Sequence, residues 1–398
     1  MKPKLIAASI LLATSGAVAF YPAVQSQGIV PVNPPVSATA ARERPVVDVV
    51  FVLDTTSSMT GLIQTAKEKI WSIATTLASA QPAPEIRLGL VAFRDRGDAY
   101  VTRVTDLSTD LDSVYAQLMD FRAQGGGDGP ESVNQALYEA VHHLSWSQNP
   151  GAYRAIFLVG DAPPHMDYAD DVKYPASVAA ARSMGIRVNA IQAGRNGQTL
   201  QAWQQVARLG LGEFLQVDAD GSAVAIATPF DEKLADLSRQ LDGTRLYYGS
   251  EETQASKQRK LAAAEKLHAA ASLESRARRA TFNASASGRL NLIGDDELVE
   301  DVVSGRVELA SLPPASLPEP LRALAPERQA AIIAETAARR GELQRQIEAL
   351  ADQRAAFLQE SLADSDSAEA SLDNKLYRAI RGQAEASGLR YEADVPAY

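Results

Sequence analysis

The sequence predicts an α/β fold, namely a doubly wound sheet of six mostly parallel strands with one antiparallel edge strand, followed by a mainly helical C-terminal region. Three observations predict it. Six short apolar or β-branched runs lie between residues 46 and 217 and alternate with helical patterns. Two of these runs are joined only by a short charged loop, which suits antiparallel neighbours. From residue 250 onward Ala, Glu, Arg, Gln and Leu dominate, and these residues favour helices.

The strands and helices follow from local patterns. Residues 46–53 read VVDVVFVL, a nearly continuous β-branched run that is typical of a strand buried on both faces. The other predicted strands cover 86–93, 100–107, 154–160, 186–193 and 213–217. Helical patterns cover 62–77, 111–121, 131–144, 175–184, 200–209 and 230–241. Further on, long helices are predicted at 251–282 and 326–362, with a connector at 283–325. In doubly wound sheets ligands bind beyond the carboxyl ends of the strands.

The composition limits the possible functions. The chain has 398 residues, no cysteine and a net charge of −10. The absence of cysteine excludes disulfides, thiolate zinc sites and a cysteine nucleophile. The negative charge argues against nucleic acid as the main partner, because phosphate binding needs a concentrated basic face. With only four histidines, a metal site has to be built mostly from oxygen, which favours Mg²⁺, Mn²⁺ or Ca²⁺.

The N-terminal segment has the form of a secretory signal. Two lysines precede an apolar run, and the small residues Ala17 and Ala19 stand where signal peptidase reads the chain. We expect a signal peptide at 1–19 and a periplasmic or secreted mature protein; the alternative is an uncleaved membrane anchor. Residues 20–45 are rich in proline and are expected to form an extended linker. No later stretch is apolar enough to predict a membrane span.

Three polar clusters stand at strand ends or helix starts. The first strand runs into Asp54, Thr56 and Ser58, a carboxylate and two hydroxyls at alternate positions. A glycine run ending in Asp128 precedes a helix, and the fourth predicted strand ends in Asp161. Each cluster alone could be a helix cap or a turn. No predicted strand is followed by a glycine-rich nucleotide-binding motif, so the sequence argues against nucleotide hydrolysis and against a dinucleotide cofactor. Three clusters on one sheet edge instead favour a site for a hard cation.

In this order the three segments resemble the metal-ion-dependent adhesion site (MIDAS) of a von Willebrand factor type A (VWA) domain, a Rossmann-like fold that would cover residues 46–245. The resemblance implies that Mg²⁺, or else Mn²⁺ or Ca²⁺, is held by Asp54, Thr56, Ser58, Asp128 and Asp161. It also implies that an acidic side chain of a partner protein completes the metal shell. The segments around the site look like those of an exported bacterial subgroup of the family.

One predicted ligand departs from the family pattern. Asp128 stands where the family usually has threonine, which adds a third carboxylate to Asp54 and Asp161. We expect this charge to tighten metal binding and to weaken the pull of the ion on an acidic partner.

The sequence therefore predicts a non-enzymatic, exported module that binds a divalent cation and, through it, a protein partner. The first alternative is a structural or assembly protein of the cell envelope, whose helical region 250–398 carries the interaction. That region could self-associate as a coiled coil, because apolar residues of the second long helix form a stripe that Arg354 interrupts; they are Leu343, Ile347, Leu350 and Phe357. The second alternative is a metal-assisted hydrolase, for which no general base is recognisable.

Two further features have ordinary interpretations. Arg96-Gly97-Asp98 spells an integrin-binding tripeptide, but it lies in a charged loop between adjacent strands, where Gly-Asp is common turn chemistry. His165 follows Asp161 closely and could reach the rim of the predicted metal site.

Overall fold

The computed structural model describes residues 44–127, 129–218, 226–362 and 372–391, which belong to one compact unit beginning at Arg44. The predicted signal peptide, and all but the last two residues of the predicted linker, lie outside the described residues. Among the helices of the described ranges, none combines the length and the apolar character that a bilayer span requires.

Six strands form a single sheet in the order β3-β2-β1-β4-β5-β6. Their bounds are β1 Val46–Asp54, β2 Glu85–Phe93, β3 Thr102–Ser108, β4 Tyr153–Gly160, β5 Ile186–Ala193 and β6 Leu211–Val217. All neighbours are parallel except β2 and β3, and β3 lies at the edge. The predicted doubly wound sheet with one antiparallel edge strand is confirmed.

Strand β1 lies in the middle of the sheet and contributes to a core on each face. Val47 and Val49 belong to one core, and Val50 and Val52 to the other. The first core is covered by α1 (Thr60–Ala78) and α2 (Leu111–Asp120), and the second by α3 (Val133–His142), α4 (Tyr174–Ser183) and α5 (Gly197–Leu209). Burial on both faces explains why the strand reads as an unbroken apolar run.

The winding direction reverses between β1 and β4. The chain runs from β1 through β2 to β3 on one side of the sheet, and then returns to place β4 directly beside β1. The register aligns Leu53 with Val159, so Asp54 and Gly160 are the last residues of adjacent strands and lie at the same edge of the sheet. In sheets of this class such a reversal opens a crevice at the carboxyl ends of the strands, where ligands bind.

The C-terminal region is helical, as predicted. Helix α6 (Asp231–Asp242) still belongs to the predicted range 46–245. The helices that follow it are α7 Glu251–Ala270, α8 Leu273–Ala284, α9 Ala286–Ile293, α10 Leu298–Val303, α11 Glu319–Arg322, α12 Pro326–Leu362 and α13 Leu372–Ala384. Helices α8 and α13 pack on α1, and α7 packs on α2. Trp71 of α1 and Phe282 of α8 lie 5.6 Å apart between ring centroids. The helical region therefore extends the core of the sheet domain on one face.

The predicted helix at 251–282 is in fact two helices. Ala271 is extended, and the side chain of Ser272 accepts a hydrogen bond from the amide of Ser275 at 3.1 Å, which caps the start of α8. A serine cap satisfies an amide at a helix start that has no partner within the helix. The predicted connector at 283–325 contains three short α-helices.

The apolar stripe of α12 faces helices of the same chain. Leu343 and Ile347 are buried in a small core shared with α6, α8 and α9. Arg354, which interrupts the stripe in the sequence, is buried and donates from Nε to Asp231 Oδ1 at 2.8 Å. Phe357 meets the ring of Phe230 edge-on. The stripe is therefore used inside the molecule.

Candidate metal centre

The side chain of Asp54 is held rigidly at the end of β1. Its Oδ1 accepts hydrogen bonds from the amide of Thr56 at 2.9 Å and from Thr56 Oγ1 at 2.7 Å. The residue is fully buried, and its other carboxyl oxygen, Oδ2, has no hydrogen-bond partner. The local loop therefore orients the carboxyl group and leaves one buried oxygen available.

The two hydroxyls of the motif lie on the same side of the loop as this carboxyl. Thr56 Oγ1 is 3.4 Å from Ser58 Oγ, and Ser58 is exposed. Ser57, between them, turns away and donates from Oγ to the carbonyl of Gly125 at 2.8 Å. The structure thus brings Asp54, Thr56 and Ser58 together, because alternate side chains of this short loop share one side.

Asp161 continues directly from β4, beside the end of β1. The preceding residue, Gly160, has no side chain, and a β-carbon built on it would lie 3.3 Å from Asp54 Oδ2. Glycine therefore lets the end of β4 approach the buried carboxyl closely. Asp161 is half-buried, and its backbone carbonyl accepts a hydrogen bond from Thr199 Oγ1 at 2.8 Å.

Asp128 lies outside the described residues, but the glycine loop before it is well placed. Gly125 and Gly126 have φ of +79° and +76°, a backbone region that favours glycine. The amide of Gly126 donates to Asp98 Oδ2 at 2.9 Å. A β-carbon on Gly126 would lie 3.3 Å from Thr56 Cβ. The loop is therefore packed against the same strand end that carries Asp54.

Glu131 lies at this sheet edge as well, although its sequence pattern did not predict a site residue. It was expected to begin a helix, but α3 starts at Val133 and Glu131 instead forms a short parallel bridge with Pro164. Its side chain is buried, and Oε2 has no hydrogen-bond partner. The signal available in the sequence was an acidic residue three positions after Asp128 in the same glycine-rich motif.

Burial raises the pKa of two carboxyl groups at this edge, those of Asp54 and Glu131. Burial raises the pKa of Asp54 to about 7, and the charge of Asp161 adds to this rise. Burial also raises the pKa of Glu131 to about 9, with contributions from Asp54 and other carboxylates nearby. A bound cation would reverse both shifts, because an opposite charge favours the ionised form of a carboxyl group.

Within the described part of the chain, no three acidic or histidine side chains converge closely enough to hold an ion by themselves. A cation at this edge therefore needs hydroxyl and water oxygens in addition to carboxylates. Asp54, Thr56 and Ser58 offer that mixed set of oxygens, which suits a hard divalent ion.

His165 and the Arg-Gly-Asp tripeptide are engaged within the chain. His165 Nδ1 is 2.8 Å from Asp167 Oδ1, and its ring stacks on Tyr168 at 4.0 Å between centroids. Arg96 forms an ion pair with Asp171 at 2.6 Å. These side chains are therefore held by contacts within the chain.

Comparison with known proteins agrees with this architecture. Residues 48–216 match the family model of the von Willebrand factor A domain. The chain is 27% identical over 128 residues to alpha-protein kinase vwkA of Dictyostelium discoideum, which covers 32% of this chain. The match spans only 20% of that kinase.

Several solved structures are similar at low sequence identity. BatB from Bacteroides thetaiotaomicron, a conserved hypothetical protein, is 18% identical, with a TM-score of 0.33, and covers 43% of this chain and 90% of that one. The SpRpn10 VWA domain is 14% identical, with a TM-score of 0.33, and covers 44% of this chain and 89% of that one. A von Willebrand factor type A protein from Catenulispora acidiphila is 16% identical, with a TM-score of 0.34, and covers 44% of this chain and 39% of that one. The part of the chain that is similar to a von Willebrand factor A domain is therefore the part that forms the six-stranded sheet.

Proposed function

We propose that this chain is an exported protein-interaction module whose VWA domain binds a divalent cation, with Mg²⁺ preferred over Mn²⁺ or Ca²⁺, and contacts a protein partner through it. VWA domains are generally protein-interaction modules. One observation carries the proposal: Asp54 Oδ2 is fully buried without a hydrogen-bond partner, at the edge where the winding of the sheet reverses. A buried carboxylate oxygen without a donor costs free energy, and a bound cation or its water would remove that cost.

The residues fit such an ion. Asp54, Thr56 and Ser58 would hold it from the loop after β1, and Asp161 from the end of β4, directly or through water. Asp128 is a further expected ligand. The ion would supply a positive charge at the sheet edge to which an oxygen of a partner can bind. The resemblance to adhesion sites implies an acidic side chain in that role. Export is inferred from the signal-like residues 1–19.

The envelope-assembly alternative gains less support. It needs a C-terminal arm that is available to other molecules, whereas α8 and α13 pack on α1 and the apolar stripe of α12 is buried within the chain. An interaction or self-association through this region would have to use a surface other than that stripe. Such contacts would not depend on a divalent cation, which separates the two proposals experimentally.

Calorimetric titration of the full chain with Mg²⁺ tests the metal site. We expect saturable binding to the wild type and none to Asp54→Asn, which keeps the shape of the side chain but removes its charge. Ser58→Ala should weaken binding, because it removes one of the convergent hydroxyls. Ser57→Ala is the matched control and should leave binding unchanged, because that hydroxyl points to Gly125. Equal binding by all four proteins, or no binding by the wild type, would reject the site.

Capture from a cell-envelope extract tests the partner. A partner that binds the wild type in Mg²⁺, is released by EDTA and does not bind Asp54→Asn supports the proposal. A partner that is unaffected by EDTA and requires residues 250–398 supports the assembly alternative instead.

A further inference from the structure

Glu131 is a buried acidic side chain at the sheet edge whose position is fixed by its backbone. Its amide donates to the carbonyl of Pro163 at 2.9 Å, and its carbonyl accepts from the amide of His165 at 3.1 Å. Both contacts are with the segment that follows Asp161. The backbone of Glu131 is therefore attached to the end of β4, beside the predicted metal ligands.

The side chain of Glu131 extends toward the glycine loop and Thr56. Its Oε1 lies 3.2 Å from the point that a β-carbon on Gly126 would occupy, and Thr56 Cβ lies 3.3 Å from the same point. The carboxyl group and Thr56 thus border the same small space beside Gly126. This space adjoins the loop in which Thr56 Oγ1 contacts Asp54.

A neighbouring acidic side chain is satisfied, whereas Glu131 is not. Asp95 accepts hydrogen bonds from Ser132 Oγ and from Tyr168 Oη, each at 2.8 Å. By contrast, Glu131 Oε2 and Asp54 Oδ2 are both buried without a donor, and Glu131 is only 3% exposed. Two such oxygens at one edge indicate a missing positive charge or a missing donor that serves both.

The arrangement favours an indirect contact between Glu131 and an ion. Within the described ranges no three acidic or histidine side chains lie close enough together to form a cage, so Glu131, Asp54 and Asp161 do not all bind one ion directly. A carboxylate next to the ligands can instead accept a hydrogen bond from a water of the ion's shell. Carboxylates in that position orient the ligands and raise metal affinity.

We propose that Glu131 is an outer-sphere carboxylate of the cation site, which contacts the ion through water and neutralises part of its charge from within the chain. The inference rests on the proposed metal-binding function. Together with Asp54 and Asp161, Glu131 brings the number of described carboxylates at this edge to three against a divalent ion. The site should therefore retain its ion firmly and attract an acidic side chain of a partner less strongly than its family resemblance implies.

Replacing Glu131 with glutamine tests the inference in the full chain. Glu131→Gln keeps the shape and removes the charge, so we expect the Kd for Mg²⁺ to rise about ten- to hundredfold in calorimetry. The melting temperature of the metal-free protein should stay the same or rise, because a buried carboxylate without a donor is removed. Glu139→Gln is the matched control: it removes a carboxylate from α3 that accepts from Gln135 Nε2 at 2.7 Å, and should keep the wild-type Kd.

The outcomes separate this inference from the proposed function. Wild-type binding of Mg²⁺ with an unchanged Kd in Glu131→Gln overturns the inference and leaves the metal site standing. A melting temperature lowered equally with and without Mg²⁺, at unchanged Kd, would show that Glu131 is purely structural and also overturns it. If the wild type binds neither Mg²⁺ nor Mn²⁺, the proposed function itself fails.

A second variant covers the case in which Glu131→Gln does not fold. Glu131→Asp keeps the charge but withdraws the carboxylate by one methylene. We expect its Kd for Mg²⁺ to exceed that of the wild type by less than tenfold. A Kd equal to that of the wild type would count against an outer-sphere contact.

Discussion

Gly160 lies directly against Asp54: a β-carbon on Gly160 would stand 3.3 Å from Asp54 Oδ2 and 3.0 Å from Cζ2 of Trp203. The indole of Trp203 is fully buried and donates from Nε1 to the carbonyl of Gly160 at 3.1 Å, so it has little room to move. This relationship explains why the strand that delivers Asp161 ends in glycine. The close approach of two strand ends depends on the absence of a side chain at this position.

We therefore expect Gly160→Ala to destabilise the protein by about 1–3 kcal/mol, the usual cost of overpacking a core. It should also weaken Mg²⁺ binding, because the added methyl group displaces Asp54 or the end of β4. Urea unfolding and calorimetry measure the two effects. Gly382→Ala is the control: nothing lies within 4 Å of the added carbon, and alanine favours the helix in which it stands. Equal stability of the two variants would contradict the packing argument.

A second prediction concerns the buried ion cluster that joins the helical region to the sheet domain. Arg279 of α8 pairs with Asp112 of α2 at 2.5 Å and with Asp242 of α6 at 2.8 Å. Removing the arginine leaves buried carboxylates without their main counter-charge, so Arg279→Ala should cost about 3–5 kcal/mol. Chemical denaturation measures this loss of stability.

The control for this cluster is an exposed ion pair. Arg345 pairs with Glu342 at 2.5 Å on the surface of α12, and both side chains are largely exposed. Pairs of this kind contribute about 0–1 kcal/mol, so Arg345→Ala should be nearly neutral. If Arg279→Ala were equally mild, the cluster would not connect the two regions energetically.

A third prediction follows from the charge state of Asp242. Burial by itself would raise the pKa of this carboxyl group, but Arg279, Arg245 and His268 hold it well below its ordinary value. A lowered carboxyl pKa stabilises the fold above the unfolded-state value of 3.8, and this contribution is lost as the pH falls toward the folded-state pKa. Asp242→Asn should therefore be less stable than the wild type at pH 7, with a gap that narrows below about pH 4. Urea unfolding at pH values from 7 to 3 measures this difference in unfolding free energy. A difference that grows as the pH falls would contradict the prediction.

Structural features that are encoded by neighbouring residues could be predicted from the sequence, and those that depend on distant contacts could not. The first strand could be predicted because its own β-branched residues encode burial on both faces. The break between α7 and α8 was missed, because one serine cap outweighs a composition that favours a continuous helix. Glu131 was missed for a different reason. Its position at the sheet edge depends on a backbone bridge to Pro164, which is distant in sequence, and locally it has the form of an ordinary first-turn helix residue.

The last prediction concerns Asp128, which lies outside the described residues but follows a glycine loop packed against Thr56. The resemblance to adhesion sites implies threonine at this position, so Asp128→Thr restores a hydroxyl and removes a carboxylate. We expect Mg²⁺ binding to weaken by about tenfold, because one negative charge next to the ion is lost. The ion should then attract an acidic ligand more strongly, since fewer carboxylates of the chain compensate its charge. Calorimetry measures the first effect, and Mg²⁺-dependent capture of a partner measures the second.

Asp295→Thr, at an exposed position in the helical region, is the control for loss of charge. If Asp128→Thr bound Mg²⁺ as tightly as this control, Asp128 would be too far from the ion to affect it. The weaker attraction of an acidic partner would then have to result from Glu131 alone.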